Sequence, residues 1–191
     1  MTSILKADTI QDADGNNIIN ENSNTITIGA SGDTISIPSG ATFNINGTAG
    51  TGIGTNTPAF YVYPTSNQSI ANTTDVTIAF DTEVYDTASA FTSNTFTVPS
   101  GQGGKYCIFF SISRNNFSCT RFTIKLDVAG TEKAIAENAS GRNYDSAGLS
   151  VVLPLNAGDA VFLKVYQDSG STQTILGNQK RSFFGGYKII E

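Results

Sequence analysis

Residues 104–128, GKYCIFFSISRNNFSCTRFTIKLDV, decide the fold. Apolar side chains recur at every second position before Arg114 and again after Arg121. They are Tyr106, Ile108, Phe110 and Ile112, followed by Phe122, Ile124, Leu126 and Val128. A period of two is the period of a β-strand, whose successive side chains point to opposite faces. Phe109 adds an apolar side chain on the other face of the first strand, so we predict that a second sheet or a partner subunit covers it there.

The same alternation occurs throughout the chain. Further examples are Ile26/Ile28, Ile35/Ile37, Val76/Ile78/Phe80 and Val161/Leu163/Val165. No segment keeps a helical period. The best helical candidate, Thr131 to Asn138, fits the period of a strand as well as that of a helix. Only 14% of residues are charged, but 39% are hydrophobic, which is too many for a disordered chain. The sequence therefore predicts an all-β protein.

Composition excludes several classes of function. The chain contains no histidine, so no His-based catalytic triad or zinc site can form. The net charge is -5 without a basic run, which argues against nucleic-acid binding. No stretch approaches the ~20 apolar residues of a membrane span, and residues 1–17 lack the apolar core of a signal peptide. We therefore expect neither membrane insertion nor export by a signal of the chain's own.

The two cysteines, Cys107 and Cys119, fit a protein made in a reducing cytosol. A hairpin that turns near residues 115–116 would place Cys107 opposite a residue near Ile124 rather than opposite Cys119. We predict two unpaired, half-buried thiols.

Residues 24–54 contain three short strand units, at 25–28, 34–37 and 42–45, separated by Gly-rich turns. Each unit has two apolar side chains on one face, which a single copy cannot bury. We predict that the units stack on each other or on sister chains, as in a fibrous β-stalk around a common axis. The alternative is a three-stranded meander packed against the main domain.

The stalk is predicted to connect two other regions. Residues 46–58 form a Gly/Thr-rich linker. Before the stalk, the pattern predicts two short strands, Ile4 to Ile10 and Ile18 to Asn20, around an Asp-Gly turn. The predicted regions are 1–23 as an anchor, 24–57 as a stalk and linker, and 58–191 as a globular head.

One acidic motif imitates a calcium loop. Residues Asp12, Asp14 and Asn16 occupy the first three ligand positions. Asn17 stands where the sharp turn needs glycine, and Ser23 stands where a bidentate glutamate is needed. A hairpin turn explains the same residues, so we predict no metal site and no cofactor.

Asp81 and Glu83 form a second acidic motif, two residues apart on one face of a strand. Paired carboxylates perform glycoside hydrolysis, which makes a glycan-cleaving enzyme one alternative function. The same spacing is common on solvated strand edges. We predict no catalytic residues and no enzymatic activity.

Motifs of residues 58–191 resemble, in order and spacing, the jelly-roll head shared by tumour necrosis factor and the complement first component. They are Val76-Thr-Ile78-Ala-Phe80-Asp81, Gly104-Lys-Tyr106, Leu155-Asn-Ala-Gly158-Asp159-Ala-Val161 and Phe184-Gly-Gly186-Tyr187. Gly158-Asp159 predicts a tight turn into a strand. Gly186 predicts a final strand that passes under a bulky neighbour. The resemblance implies a two-sheet jelly roll, whereas the polar residues 168–181 depart from the family pattern.

The resemblance also implies a homotrimer with aromatic residues near its three-fold axis. The candidates for this seam are Phe60, Tyr61, Phe183, Phe184 and Tyr187; the alternative for each is the sandwich core. Exposed loops at one end are the predicted ligand-contact sites. Their candidate residues are Arg142, Asn143, Tyr144 and Gln173.

Residues 1–57 resemble the leading segments of structural proteins of marine tailed bacteriophages. The similar stretches are ILKADTIQDADGNNIIN and SGDTISIPSGATFNI. This implies synthesis in the bacterial host cytoplasm, a place on the virion surface, and docking to other virion proteins through residues 1–23. We predict a non-enzymatic trimeric appendage, a fibre or spike whose head faces a host glycan. The alternative is a trimeric capsid decoration protein at local three-folds.

Overall fold

A computed structural model describes residues 9–11, 17–22, 25–29, 31–42, 56–138, 145–178 and 180–189. The chain divides into two compact units, Met1–Gly50 and Thr51–Glu191. Regular structure within the described ranges is entirely β. None of these residues belongs to a helix long and apolar enough to cross a membrane.

The first unit contains one antiparallel sheet of three strands, β1 (Thr9–Gln11), β2 (Asn17–Asn22) and β3 (Thr25–Ile28). Strand β3 is the first predicted stalk unit, and it pairs with β2, which lies within the predicted anchor. The strand predicted at 34–37 is wrong, because residues 31–42 form turns and unpaired backbone. A four-residue segment has no ladder of hydrogen bonds unless a neighbouring strand supplies one. Residues 43–45 of the third predicted unit lie outside the described residues.

The second unit is a sandwich of two main sheets. Its strands are β4 (Ala59–Tyr63), β5 (Gln68–Ile70), β6 (Val76–Thr77), β7 (Thr82–Asp86), β8 (Phe91–Thr92), β9 (Thr95–Thr97), β10 (Gly104–Ser113), β11 (Phe122–Val128), β12 (Thr131–Asn138), β13 (Ser146–Leu155), β14 (Ala160–Gln167), β15 (Gln173–Ile175) and β16 (Phe183–Lys188). One sheet has the order β13-β10-β16-β4-β7. The other has the order β12-β11-β14-β9-β8, with β6 beside β14. Strands β5 and β15 form a separate pair.

The core lies between the inner faces of the two main sheets. Strands β10 and β14 bury alternate residues, as their sequence period predicts, and β11 buries the polar residues Thr123 and Asp127 as well as its apolar ones. Phe60 stacks on Phe96, with ring centroids 4.4 Å apart, and meets Phe184 edge-on at 5.0 Å. Burial of such aromatic area is the main stabilising contribution in a domain of this size.

Residues 131–138, the best helical candidate, form strand β12, which agrees with the predicted all-β class. One local prediction needs correction. Strands β10 and β11 are not a hairpin, because they belong to different sheets; β10 pairs with β13 and β16. The argument that placed Cys107 opposite Ile124 is therefore wrong, although both cysteines are free and half-buried as predicted.

Two glycines have the roles that the sequence predicts. Gly158 has a φ of +89°, and the turn closes when the Asp159 N–H donates to the Asn156 carbonyl at 3.1 Å. Gly186 lies under Ile108, and a β-carbon at Gly186 would be only 2.6 Å from the Ile108 Cδ1 atom. The close approach of β16 to β10 thus requires a residue without a side chain.

Candidate interaction surface

The outer face of the sheet β13-β10-β16-β4-β7 is aromatic. In the pairing register, Tyr61 lies beside Tyr85 on one neighbour and beside Gly185 on the other, and Gly185 lies beside Phe109. We use the name aromatic face for five of the outward-pointing side chains of this sheet, which are Tyr61, Tyr85, Phe109, Phe183 and Tyr187. They are half-buried except Tyr85, which is 44% exposed. A sheet that had only water beyond this face would be expected to carry polar residues there.

Tyr61 is the centre of the aromatic face. Its ring centroid lies 5.8 Å from that of Phe183, 6.1 Å from Tyr85 and 6.2 Å from Phe109. Phe109 and Phe183 are 6.4 Å apart. These separations are typical of interacting aromatic pairs, so the rings form one continuous apolar patch.

Gly185 makes this patch continuous. A β-carbon at Gly185 would lie 2.6 Å from the Phe109 ring and 3.0 Å from the Phe60 carbonyl oxygen. The ring of Phe109 therefore lies over the backbone of β16 and extends towards Tyr61 on β4. The rings therefore lie close to the sheet, and no polar side chain projects from the centre of the aromatic surface.

The aromatic face stays uncharged over the physiological pH range. Burial, with smaller effects of the neighbouring Tyr85 and Tyr63 hydroxyls, raises the pKa of Tyr61. A hydrogen bond with the Cys107 thiol raises the pKa of Tyr187. Cys107 itself lies 3.5 Å from the Ser150 hydroxyl, measured between Sγ and Oγ. Both shifts favour the neutral phenol, which is the form that packs in an apolar interface.

The outer face of the other main sheet is different, because it carries a network of ion pairs. Lys125 Nζ lies 2.9 Å from an Asp75 carboxylate oxygen, and Lys164 Nζ lies 2.9 Å from an oxygen of Asp127. The Lys125 ammonium also lies 5.8 Å from the centre of the Tyr166 ring. The hydrogen bond to Asp75 is the largest of the effects that raise the pKa of Lys125. Charged pairs of this kind are typical of a face in contact with water.

The predicted seam residues fall on two different faces. Tyr61, Phe183 and Tyr187 lie on the aromatic face. Phe60 and Phe184 do not, because both are 0% exposed inside the sandwich. A side chain with no exposed surface in the single chain cannot contact a partner, so these two follow the alternative prediction of ordinary core.

Phe109 and Tyr85 belong to the aromatic face, but the sequence did not identify them as seam residues. Phe109 had a visible signal, since it is apolar on the face of β10 opposite to Ile108 and Phe110. Tyr85 lies in the short edge strand β7, where it follows Val84 directly, and two adjacent apolar residues among three polar ones give no such signal.

Of the predicted ligand-contact residues, Arg142, Asn143 and Tyr144 lie outside the described residues. Gln173 begins β15, is half-buried, and donates from its side-chain amide to the Ser171 hydroxyl at 2.9 Å. The preceding loop is held firmly: one Asp168 oxygen accepts the backbone N–H groups of Thr120 and Arg121, each at 2.8 Å. The amide of Gln173 is thus used within its own loop.

A buried arginine lies close to the predicted contact loop, and the sequence analysis did not identify it. The side chain of Arg114 is 0% exposed and donates to Cys119 Sγ at 3.0 Å. It also pairs with Asp145 at 3.4 Å, the first described residue after position 144. The rings of Phe117 and Phe122 lie 5.8 and 5.6 Å from the guanidinium carbon. Burial raises the pKa of Cys119 and outweighs the lowering effect of the nearby Arg114 charge. The raised pKa keeps the thiol protonated.

Asp81, the first residue of the acidic pair Asp81 and Glu83, has a structural role. One oxygen of Asp81 accepts the Thr65 backbone N–H at 2.8 Å, and the other accepts the Thr65 hydroxyl at 2.7 Å. Desolvation alone would raise the pKa of Asp81, but these hydrogen bonds bring it below its usual value. A carboxylate with a lowered pKa is ionised at neutral pH and unsuited to act as a general acid. Within the described ranges, no group of three or more metal-ligating side chains comes together.

Asp81→Asn should weaken the fold slightly, by about 1 kcal/mol or less, because one hydrogen-bonded carboxylate is lost. The folded-state pKa of Asp81 is lowered, so its contribution is present above the unfolded pKa and is lost as pH falls through the folded pKa. The difference between variant and wild type should therefore shrink below about pH 4. Urea unfolding at several pH values measures this, with Glu83→Gln as control. A difference that grows at acid pH would contradict the assignment.

Comparison with known proteins finds similarity over most of the second unit. A sequence model described as the C1q domain matches residues 59–189. The globular domain of zebrafish complement 1qA protein is 19% identical, with a TM-score of 0.51 over 70% of this chain and 98% of that chain. No curated protein sequence matches the chain with statistical support.

Two further solved structures share the fold. The Eiger TNF of S. frugiperda is 14% identical, with a TM-score of 0.55 over 70% of this chain and 92% of that chain. Murine APRIL is 13% identical, with a TM-score of 0.55 over 69% of this chain and 98% of that chain. Together with the sequence match, they confirm the predicted two-sheet jelly roll.

Proposed function

The chain belongs to the C1q domain family, and from this premise we propose that residues 59–189 form the non-enzymatic head of a homotrimer that associates through the aromatic face. The single observation that carries the proposal is the contrast between the two outer faces of the sandwich. One face is aromatic and uncharged at its centre, whereas the other has paired charges. A continuous aromatic patch without charge at its centre is typical of an interface.

The aromatic face has the features of an interface centre. Aromatic side chains are enriched there, and charged side chains are depleted. Val152, on the neighbouring strand β13, is 52% exposed and extends the apolar surface beyond Cys107, its partner in the pairing register. A closed three-fold ring would cover this surface on every copy and leave no copy with an open aromatic face.

Native mass spectrometry of the full chain tests the trimer. The expected mass is three times the 20.1 kDa of one chain, at micromolar concentration. A species of 20.1 kDa alone would overturn the proposed function.

We further propose that this head belongs to a virion surface appendage of a tailed bacteriophage, made in the bacterial cytoplasm and docked to other virion proteins through residues 1–23. The support is the resemblance of residues 1–57 to leading segments of such proteins. On this proposal the head faces outwards and contacts a host-surface glycan.

Quantitative mass spectrometry of purified particles tests this placement. A copy number of tens or fewer supports a tail appendage, and a copy number in the hundreds indicates a capsid decoration protein instead. Absence of the chain from the particles would overturn both placements. It would not affect the proposed trimer, which native mass spectrometry tests separately.

A further inference from the structure

We draw no further inference here: the strongest candidate, the side-chain cluster of Cys119 and Asp145 around the buried Arg114 guanidinium at one end of the sandwich, borders residues 139–144, which lie outside the described residues, and no second observation within the described ranges points to a ligand for it.

Discussion

Phe109→Lys should convert the proposed trimer into single folded chains. The Phe109 ring lies next to the centre of the aromatic face, with its centroid 6.2 Å from that of Tyr61 and 6.4 Å from that of Phe183. Moving an ammonium group out of water into an apolar interface costs several kcal/mol per ion, and the three-fold symmetry repeats this cost in every subunit. Like charges would also meet around the axis. Native mass spectrometry and light scattering should therefore show loss of the trimer at micromolar concentration.

The matched control is Phe162→Lys. Phe162 is also a half-buried aromatic residue in a central strand, but it lies on the charged outer face, where its partner in β11 is Asp127. The new ammonium group would share the Asp127 carboxylate with Lys164 and remain in contact with water, so the trimer mass should not change. Circular dichroism checks that both variants keep their β structure. If Phe109→Lys remains a trimer with unchanged stability towards dilution, the aromatic face is not the interface.

Gly186→Ala should destabilise the head by about 3 kcal/mol, which is at the upper end for overpacking by one methyl group. Its β-carbon would lie 2.6 Å from Ile108 Cδ1, 3.0 Å from the Cys107 carbonyl oxygen and 3.1 Å from the Phe60 ring. Ile108 and Phe60 are themselves 0% exposed, so they have little room to move. The carbonyl belongs to the neighbouring strand and can give way only if the sheet distorts.

Gly103→Ala is the control for this prediction. Its β-carbon would meet nothing closer than 3.5 Å, which is ordinary van der Waals contact. Both substitutions reduce the entropy of the unfolded chain by the same amount, so the difference between them isolates the folded-state clash. Urea midpoints are compared at one fixed protein concentration, because association contributes to stability. Equal midpoints would show that β10 and β16 are less closely packed than described.

Sequence patterns predicted the central strands well, because one side of each central strand faces the core. Residues of β10, β11 and β14 alternate between buried and partly exposed positions, apart from polar residues buried in β11, and this arrangement produces the period of two. Alternation gave a wrong prediction where the segment has no neighbouring strand to pair with. Residues 34–37 alternate as clearly as the true strands do, but they have no ladder. Local alternation is thus necessary for a strand and not sufficient for one.

The residues of the aromatic face were only partly predictable for a related reason. Phe60 and Tyr61 are neighbours, as are Phe183 and Phe184, and each pair points one ring into the core and one outwards. When both faces of a strand carry aromatic residues, hydrophobicity alone cannot identify the inner one, since a shift of one residue exchanges them. The assignment needs the register against β10, which depends on residues distant in sequence.

Strand β10 has a consequence for how folding and assembly are connected. It carries Ile108 and Phe110 on its inner side and Phe109 on its outer side. In the proposed trimer, the same strand therefore holds the core of one subunit and contacts a partner, so association adds stability to a head that is already folded. The melting temperature of the wild type should rise with protein concentration, whereas that of Phe109→Lys should not.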